Sequence, residues 1–315
     1  MRAQSARRAG RFHEAGFYRT DAEFRALIIP FAEEGVAAGQ PVILGYDDRK
    51  AGLLRSWLSD PAAVTFIPDN SLYATPARAI ASYRQLFARH AAAGATQIRI
   101  AGDVPHEGNG SRFAGWDRYE SAANIVWDDF PVWSRCLYDV ATAAPDVLDV
   151  VERTHSRVVL PSGRYQASRR YQDPAVFEPL TPVPHALERS APAIELASPR
   201  PEQARQALTG IGRGHLPDGA LHDLVLGVSE AVTHALQYGR PPVTVRIWAA
   251  LGRIVVCVHD TGPGPADPLA GLTLPSSRPG PPEVGLWLIH QLGINTALIR
   301  SEDGFTIRLA AEHPA

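Results

Sequence analysis

Between residues 12 and 165, short apolar runs and longer amphipathic runs take strict turns, and after residue 200 they stop doing so. In the first stretch "DAEFRALIIPFAEEGVAAG" sets Phe24, Leu27, Ile28, Phe31 and Val36 on one helical face and stops at Gly39. "PVILGY" follows as a short buried strand, and the alternation then repeats. The later helices are "RKAGLLRSWL", "PARAIASYRQLFARHAAAG", "WDRYESAANIVWDDF" and "DVLDVVERTH"; the later strands are "AVTFIP", "TQIRIAGDV", "VWSRCLYDV" and "RVVL". A chain built this way is expected to make an α/β domain over 10–168, with a mainly parallel sheet covered by helices.

The proline-rich stretch "YQDPAVFEPLTPVPHALERSAPAIELASPRP" interrupts this rhythm, and 169–194 reads as an interdomain linker. Over 195–315 the order changes. A helix around 200–213 and a longer one ending in "EAVTHALQYG" come first. The adjacent apolar runs "PVTVRIWAAL" and "RIVVCVHD" read as a hairpin, followed by a Gly/Pro/Ser-rich segment at 265–284, the helix "VGLWLIHQL" and the strands "TALIR" and "FTIRLA". Grouped helices and neighbouring strands predict an antiparallel-rich α+β sandwich.

A length of 315 residues agrees with two cores. The formal net charge of −2 supplies no electrostatic pull toward nucleic acid or a membrane surface, so neither is an expected partner. Lys50 is the sole lysine, which leaves amine chemistry one candidate. Cys136 and Cys257 make no disulfide framework, and the N-terminus lacks the apolar run of a signal peptide; both favour a cytoplasmic location. No apolar stretch is long enough for a spanning helix.

The chemistry of the second half centres on Glu230 and His234, one turn apart on the long helix and opposite the ridge of Leu224, Val225, Val228, Val232 and Ala235. Such a pair also fits a solvated helix face or two ligands of a metal. Asp260 ends an apolar strand where it can accept from an exocyclic amine such as that of adenine. Gly262 and Gly264 let the backbone turn and approach a ligand, the 265–284 segment is placed to close over a nucleotide, and Gly285 opens a helix whose amides face phosphate.

"EAVTHALQYG", "DTGPGP" and "VGLWLIHQL" together resemble the three motifs of the histidine-kinase-like ATPase (GHKL) superfamily, and more closely its bacterial anti-sigma-factor serine-kinase branch. The likeness covers roughly 195–311. It implies Glu230 as general base and His234, Asp260, Gly262, Gly264, Gly285, Leu286 and Thr306 around ATP, with His234 at the Mg²⁺ position. Two departures weaken the phosphate end. His234 stands where the family has Asn, and imidazole is a poor partner for a hard cation; Glu283 stands where a Gly is usual, its charge opposing polyphosphate. No phosphorylatable histidine helix precedes the domain, which argues against a self-phosphorylating sensor kinase. His290 reads as a surface or packing residue.

The first half has no Gly-x-x-x-x-Gly-Lys-Ser/Thr phosphate loop. "FHEAGFYRTDAEFRALIIPFAEEGVAAGQPVIL", "WDRYESAAN", "SRCLYDV" and "VERTH" resemble the MEDS sensory domain over about 12–160, a family with a RecA-like core lacking that loop and associated with small, often hydrophobic ligands. The resemblance nominates His13, Tyr18, Glu120, Asn124, Cys136, Tyr138, Asp139 and His155 as sensory-ligand contacts. Read singly they have plainer roles: Cys136 as a buried packing thiol among apolar neighbours, Tyr138 and Asp139 as strand-end caps, Glu120 as an exposed helix residue. His106 and Glu107, in "DVPHEGNGSR", are too few for a metal.

The combination implies a cytoplasmic signalling regulator in which a small-molecule or redox input controls an anti-sigma-type domain that binds a sigma factor or an anti-sigma antagonist, as a monomer or homodimer. Two alternatives stand beside it: an active ATP- and Mg²⁺-dependent serine/threonine kinase acting on such an antagonist, and a small-molecule enzyme centred in the first half.

Overall fold

The computed structural model describes residues 10–68, 75–106, 115–273 and 284–313. Two compact units emerge, the first comprising residues 1–74 and 79–177 and the second residues 75–78 and 178–315.

The first unit holds a seven-stranded sheet. Its strands are β1 (Phe12–Tyr18), β2 (Val42–Tyr46), β3 (Thr65–Pro68), β4 (Ile98–Gly102), β5 (Val132–Asp139), β6 (Arg157–Val159) and β7 (Tyr165–Ala167), and its helices are α1 (Asp21–Ala37), α2 (Asp48–Trp57), α3 (Pro76–Ala92), α4 (Trp116–Val126) and α5 (Pro145–Thr154). The spatial order is β3-β2-β4-β5-β1-β6-β7, parallel throughout except for the antiparallel β6–β7 pair. Short polar side chains start the helices: Thr20 accepts from the Glu23 amide and Asp47 from the Lys50 amide.

The apolar pattern does not reveal the central strand β1. Its sequence, "FHEAGFY", interleaves His13, Glu14 and Gly16 with apolar residues, yet it lies between β5 and β6 with Glu14 opposite Arg135. Glu14 is fully buried because its charge is matched: Arg135 Nε donates to Oε1 at 2.8 Å and Arg157 Nη2 to Oε2 at 3.0 Å. Alternate strand residues face opposite sides. One side joins Tyr18 and Leu137 to Phe24, Leu27, Ile28, Phe31 and Leu54 of α1 and α2. The other side carries His13, Cys136 and Tyr138, and there α4 and the end of α5 bring the residues described below.

The second unit contains β8 (Ile194–Ala197), α6 (Pro201–Gly212), α7 (Asp218–Tyr238), β9 (Thr244–Ala250), β10 (Arg253–Asp260), α8 (Val284–Gln291), β11 (Asn295–Ser301) and β12 (Gly304–Glu312). Its five strands lie in the order β11-β12-β10-β9-β8, every neighbour antiparallel. On the inner sheet face Leu224, Val228, Val232 and Ala235 of α7 meet Val256, Val258, Phe305, Ile307 and Leu309. The outer face buries Trp248, Val255, Cys257 and Ala310 against Leu187.

Leu187 belongs to the stretch read as a linker. Short 3-10 turns occupy Pro174–Val176 and Ala186–Arg189, and β8 begins at the end of the stretch. The second turn is fixed to the sheet: His185 Nε2 lies 2.6 Å from Glu312 Oε1, and Arg308 donates to Glu188 at 2.8 Å. Among the described residues no helix is long and apolar enough to cross a membrane.

Candidate functional site

Two constellations of polar side chains stand out, one in each unit. In the second unit the site follows the length of α7. At its C-terminal end Asp260, only 2% exposed, projects from the end of β10 beneath Gly239. Its Oδ1 accepts from the amides of Arg240 at 3.0 Å and Gly262 at 2.7 Å. None of the described residues donates to Oδ2, which leaves that oxygen as a fixed acceptor. Gly262 and Gly264 are required sterically. A β-carbon at Gly262 would lie 2.7 Å from Asp260 Oδ1, and Gly264 has φ +71° and would place a β-carbon 2.4 Å from the Phe305 ring.

Glu230 stands nine residues before Gly239, about 13 Å up the helix axis at the α-helical rise. Its carboxylate meets the start of α8, where a β-carbon on Gly285 would lie 3.0 Å from Glu230 Oε2. The structure thus brings Glu230 to Gly285 and Asp260 to the Gly239 end of the same helix.

Three expectations change. His234, read as part of the polar face, is 5% exposed and has the rings of Tyr238 and Phe305 at 5.1 and 6.4 Å. Among the described residues neither ring nitrogen has a hydrogen-bond partner. Burial holds its pKa below the usual imidazole range against the opposing pull of Asp260, so the ring is neutral at physiological pH. The cause is geometric: α7 is covered by α8 and β12 as well as by the central strands, which widens its buried arc beyond the ridge read from the sequence. Thr306 points to the outer sheet face and pairs with His259 Nδ1 at 2.9 Å, away from Asp260. Leu286 is fully buried in the core, so only its main chain stands at the start of α8. His290 is buried, with its Nδ1 2.8 Å from the Leu286 carbonyl.

The adenine end therefore fits a nucleotide: a buried, amide-anchored carboxylate between two close-approach glycines. The Mg²⁺ position does not fit, because a neutral imidazole packed between aromatic rings offers a hard cation no oxygen. Glu283 and the rest of 274–283, half of the 265–284 segment, lie outside the described residues.

In the first unit the structure gathers residues from four separate elements. Glu120 of α4 is fully buried, contrary to the exposed position read from its helix. Its Oε2 lies 3.0 Å from His13 Nε2, 3.5 Å from His155 Nε2 and 3.8 Å from Cys136 Sγ, and its Oε1 accepts from the Tyr138 hydroxyl. Cys136 Sγ is 3.5 Å from His13 Nε2, so the thiol has polar neighbours in place of the apolar packing expected. Burial and then Glu120 push that thiol well up. Burial, reinforced by His13, lowers His155 to about 3.

Asn124 orders this group from behind, its amide donating to the carbonyls of Glu120, Ser121 and Thr154. Two nominated residues fall elsewhere. Tyr18 points to the opposite sheet face, where the Lys50 ammonium lies 5.7 Å from its ring centre, and Asp139 caps a turn by accepting from the Ala141 amide. His106 is buried with its ring 5.8 Å from that of Tyr138, whereas Glu107 lies outside the described residues. Lys50, the sole lysine, pairs with buried Asp103, and no local sequence pattern links it to a residue so far along the chain.

Comparison with known proteins agrees with this division. Residues 12–156 match the MEDS family, described as the methanogen/methylotroph, DcmR sensory domain, and residues 197–311 match the histidine kinase-like ATPase domain. No curated protein matches the chain. Among solved structures, the histidine kinase domain from Erythrobacter litoralis EL346 blue-light activated histidine kinase is 23% identical, with a TM-score of 0.26 over 36% of this chain and 58% of that one. The Erythrobacter litoralis EL346 blue-light activated histidine kinase itself is also 23% identical, with a TM-score of 0.25 over 35% and 40%. The chain thus spans little more than half of the first of these.

Proposed function

We propose that this chain, a MEDS sensory domain joined to a histidine kinase-like ATPase domain, is a signalling regulator whose second unit binds an adenine nucleotide and a protein partner. The observation that carries the reading is Asp260, buried, held by two backbone amides at Oδ1 and with no donor to Oδ2 among the described residues. An exocyclic amine donates to such an oxygen, and a buried carboxylate discriminates strongly against a ligand that lacks the donor.

The partner in this reading is a sigma factor or an anti-sigma antagonist, and the state of the MEDS domain sets the affinity for it. Such control needs an input that binds two states of the chain unequally. His234 favours regulation by binding over efficient phosphotransfer, since the magnesium position of the resembled kinases is here a buried neutral imidazole. Titration of the full chain against cognate sigma factors and antagonists, with and without ATP, tests this. Nucleotide-dependent binding of one of them is expected; no binding in any state would remove the partner from the account.

Phosphotransfer to an antagonist keeps one observation in its favour, the Glu230 carboxylate set against Gly285 at the start of α8. Radiolabel transfer from ATP that disappears in Glu230→Gln would support it.

A further inference from the structure

We infer that His13, Glu120, Cys136 and His155 form a closed four-ligand site for a divalent transition metal of the zinc class. Their donor atoms all lie within 4.8 Å of one another. A tetrahedral ion with metal–nitrogen or –oxygen bonds of about 2.0–2.1 Å and a metal–sulfur bond of about 2.3 Å separates its ligands by roughly 3.3–3.7 Å. Four of the six separations are 3.0, 3.5, 3.5 and 3.8 Å and the other two stay within 4.8 Å, so the donors already stand close to the corners of such a polyhedron and need to draw in only where His155 meets His13 and Cys136.

Proton positions make the case stronger. His155 Nδ1 lies 2.9 Å from the Val151 carbonyl, which can only accept, so the ring proton sits on Nδ1. The Asn124 amide nitrogen faces three carbonyls, which turns its Oδ1 toward His13 Nδ1 at 3.3 Å and places that ring proton on Nδ1 too. Both Nε2 atoms then direct lone pairs at the Glu120 carboxylate, and among the described residues His155 Nε2 has no hydrogen-bond partner. Protonating both rings instead would bury two cations with centroids 4.0 Å apart. A single divalent ion satisfies all four donors at once.

The surroundings are those of a metal centre. Each imidazole gives its second nitrogen to an oxygen acceptor, and Tyr138 donates to the far oxygen of Glu120, the outer contacts that orient ligands. Two imidazoles, a thiolate and a carboxylate select zinc or a neighbouring ion over magnesium or calcium. Beside the cluster, His13 and Asn124 also line a cleft of about 150 Å³ with Arg11, Trp127 and Arg157, which supplies an entry path. Four protein ligands from β1, β5, α4 and the end of α5 leave no open position, so the ion ties these elements together.

The test uses the full chain. Metal analysis of protein purified from zinc-supplemented medium is expected to give close to one zinc per chain, and Cys257→Ser to leave that unchanged. Cobalt(II) exchange is expected to give intense tetrahedral ligand-field bands with a thiolate charge-transfer band. Cys136→Ser should lose the charge-transfer band, and His155→Gln should weaken binding at least tenfold, about the minimum expected on removing a ligand contact. Folded wild-type protein that takes up no zinc, a weak octahedral cobalt spectrum, or a charge-transfer band that survives Cys136→Ser would each overturn the assignment.

Discussion

Gly239 and Asp260 stand so close that a β-carbon on the glycine would lie 2.4 Å from the aspartate Cγ. The end of α7 is thus fitted to the carboxylate that anchors the candidate pocket. Gly239→Ala must push Asp260 out of place or pull the helix end away, at about 1–3 kcal/mol for a forced overlap. Thermal unfolding should show this as a lowered midpoint, and calorimetry should show at least tenfold weaker ADP binding.

Asp260→Asn keeps an oxygen for the Arg240 and Gly262 amides but presents an NH₂ where Oδ2 stood. The asparagine NH₂ and the adenine amine then face each other as two donors, a loss of about 2–3 kcal/mol. Adenine nucleotides should bind roughly 30–150-fold more weakly on that scale, whereas guanine nucleotides, which offer a carbonyl, should gain relative to them. Competition titrations of the two bases give the ratio directly.

His234→Asn removes a buried ring with two unpartnered nitrogens and restores an oxygen at the magnesium position. Magnesium should then strengthen ATP binding to the variant while leaving the wild type unchanged. Parallel titrations with and without the ion show the difference.

In the first unit, Lys50 and Asp103 form a buried ion pair. Lys50→Met leaves the carboxylate, 4% exposed, without its ammonium. Removing one partner of a buried pair costs about 3–5 kcal/mol, and urea unfolding should register that loss.

Burial, then Glu188, pushes the Cys257 thiol up to about 12 from an ordinary value of 9.0. The unfolded chain releases this proton first, so the folded state loses stability as pH rises from about 9 toward about 12, and gains none from Cys257 below that window. Cys257→Ala should flatten that part of the stability profile. Alkylation of Cys257 at pH 8 should be slow in the native protein and fast in urea.

The sequence shows the layers well because both sheets follow simple periodicities. Nine of the twelve strands, the helices, the Asp260 loop and the Glu230 helix are legible from apolar spacing and glycine placement. β1 is not, since its buried Glu14 is stabilised by Arg135 and Arg157 from distant strands, a compensation no local window contains. β8 hides among prolines because an edge strand of four residues needs little pattern. For the same reason His13, Glu120, Cys136 and His155 are readable as separate polar residues, while their convergence comes only from the β5-β1-β6 order. His234 and Thr306 miss their expected places because helix coverage and sheet face are set by tertiary packing.

Calorimetric titration of ADP into the full chain, without magnesium, compared with Asp260→Asn, tests the nucleotide-pocket reading most directly. Saturable binding to the wild type that weakens by more than tenfold in the variant is the expected result. No binding to folded wild-type protein, or equal binding by both, would contradict it.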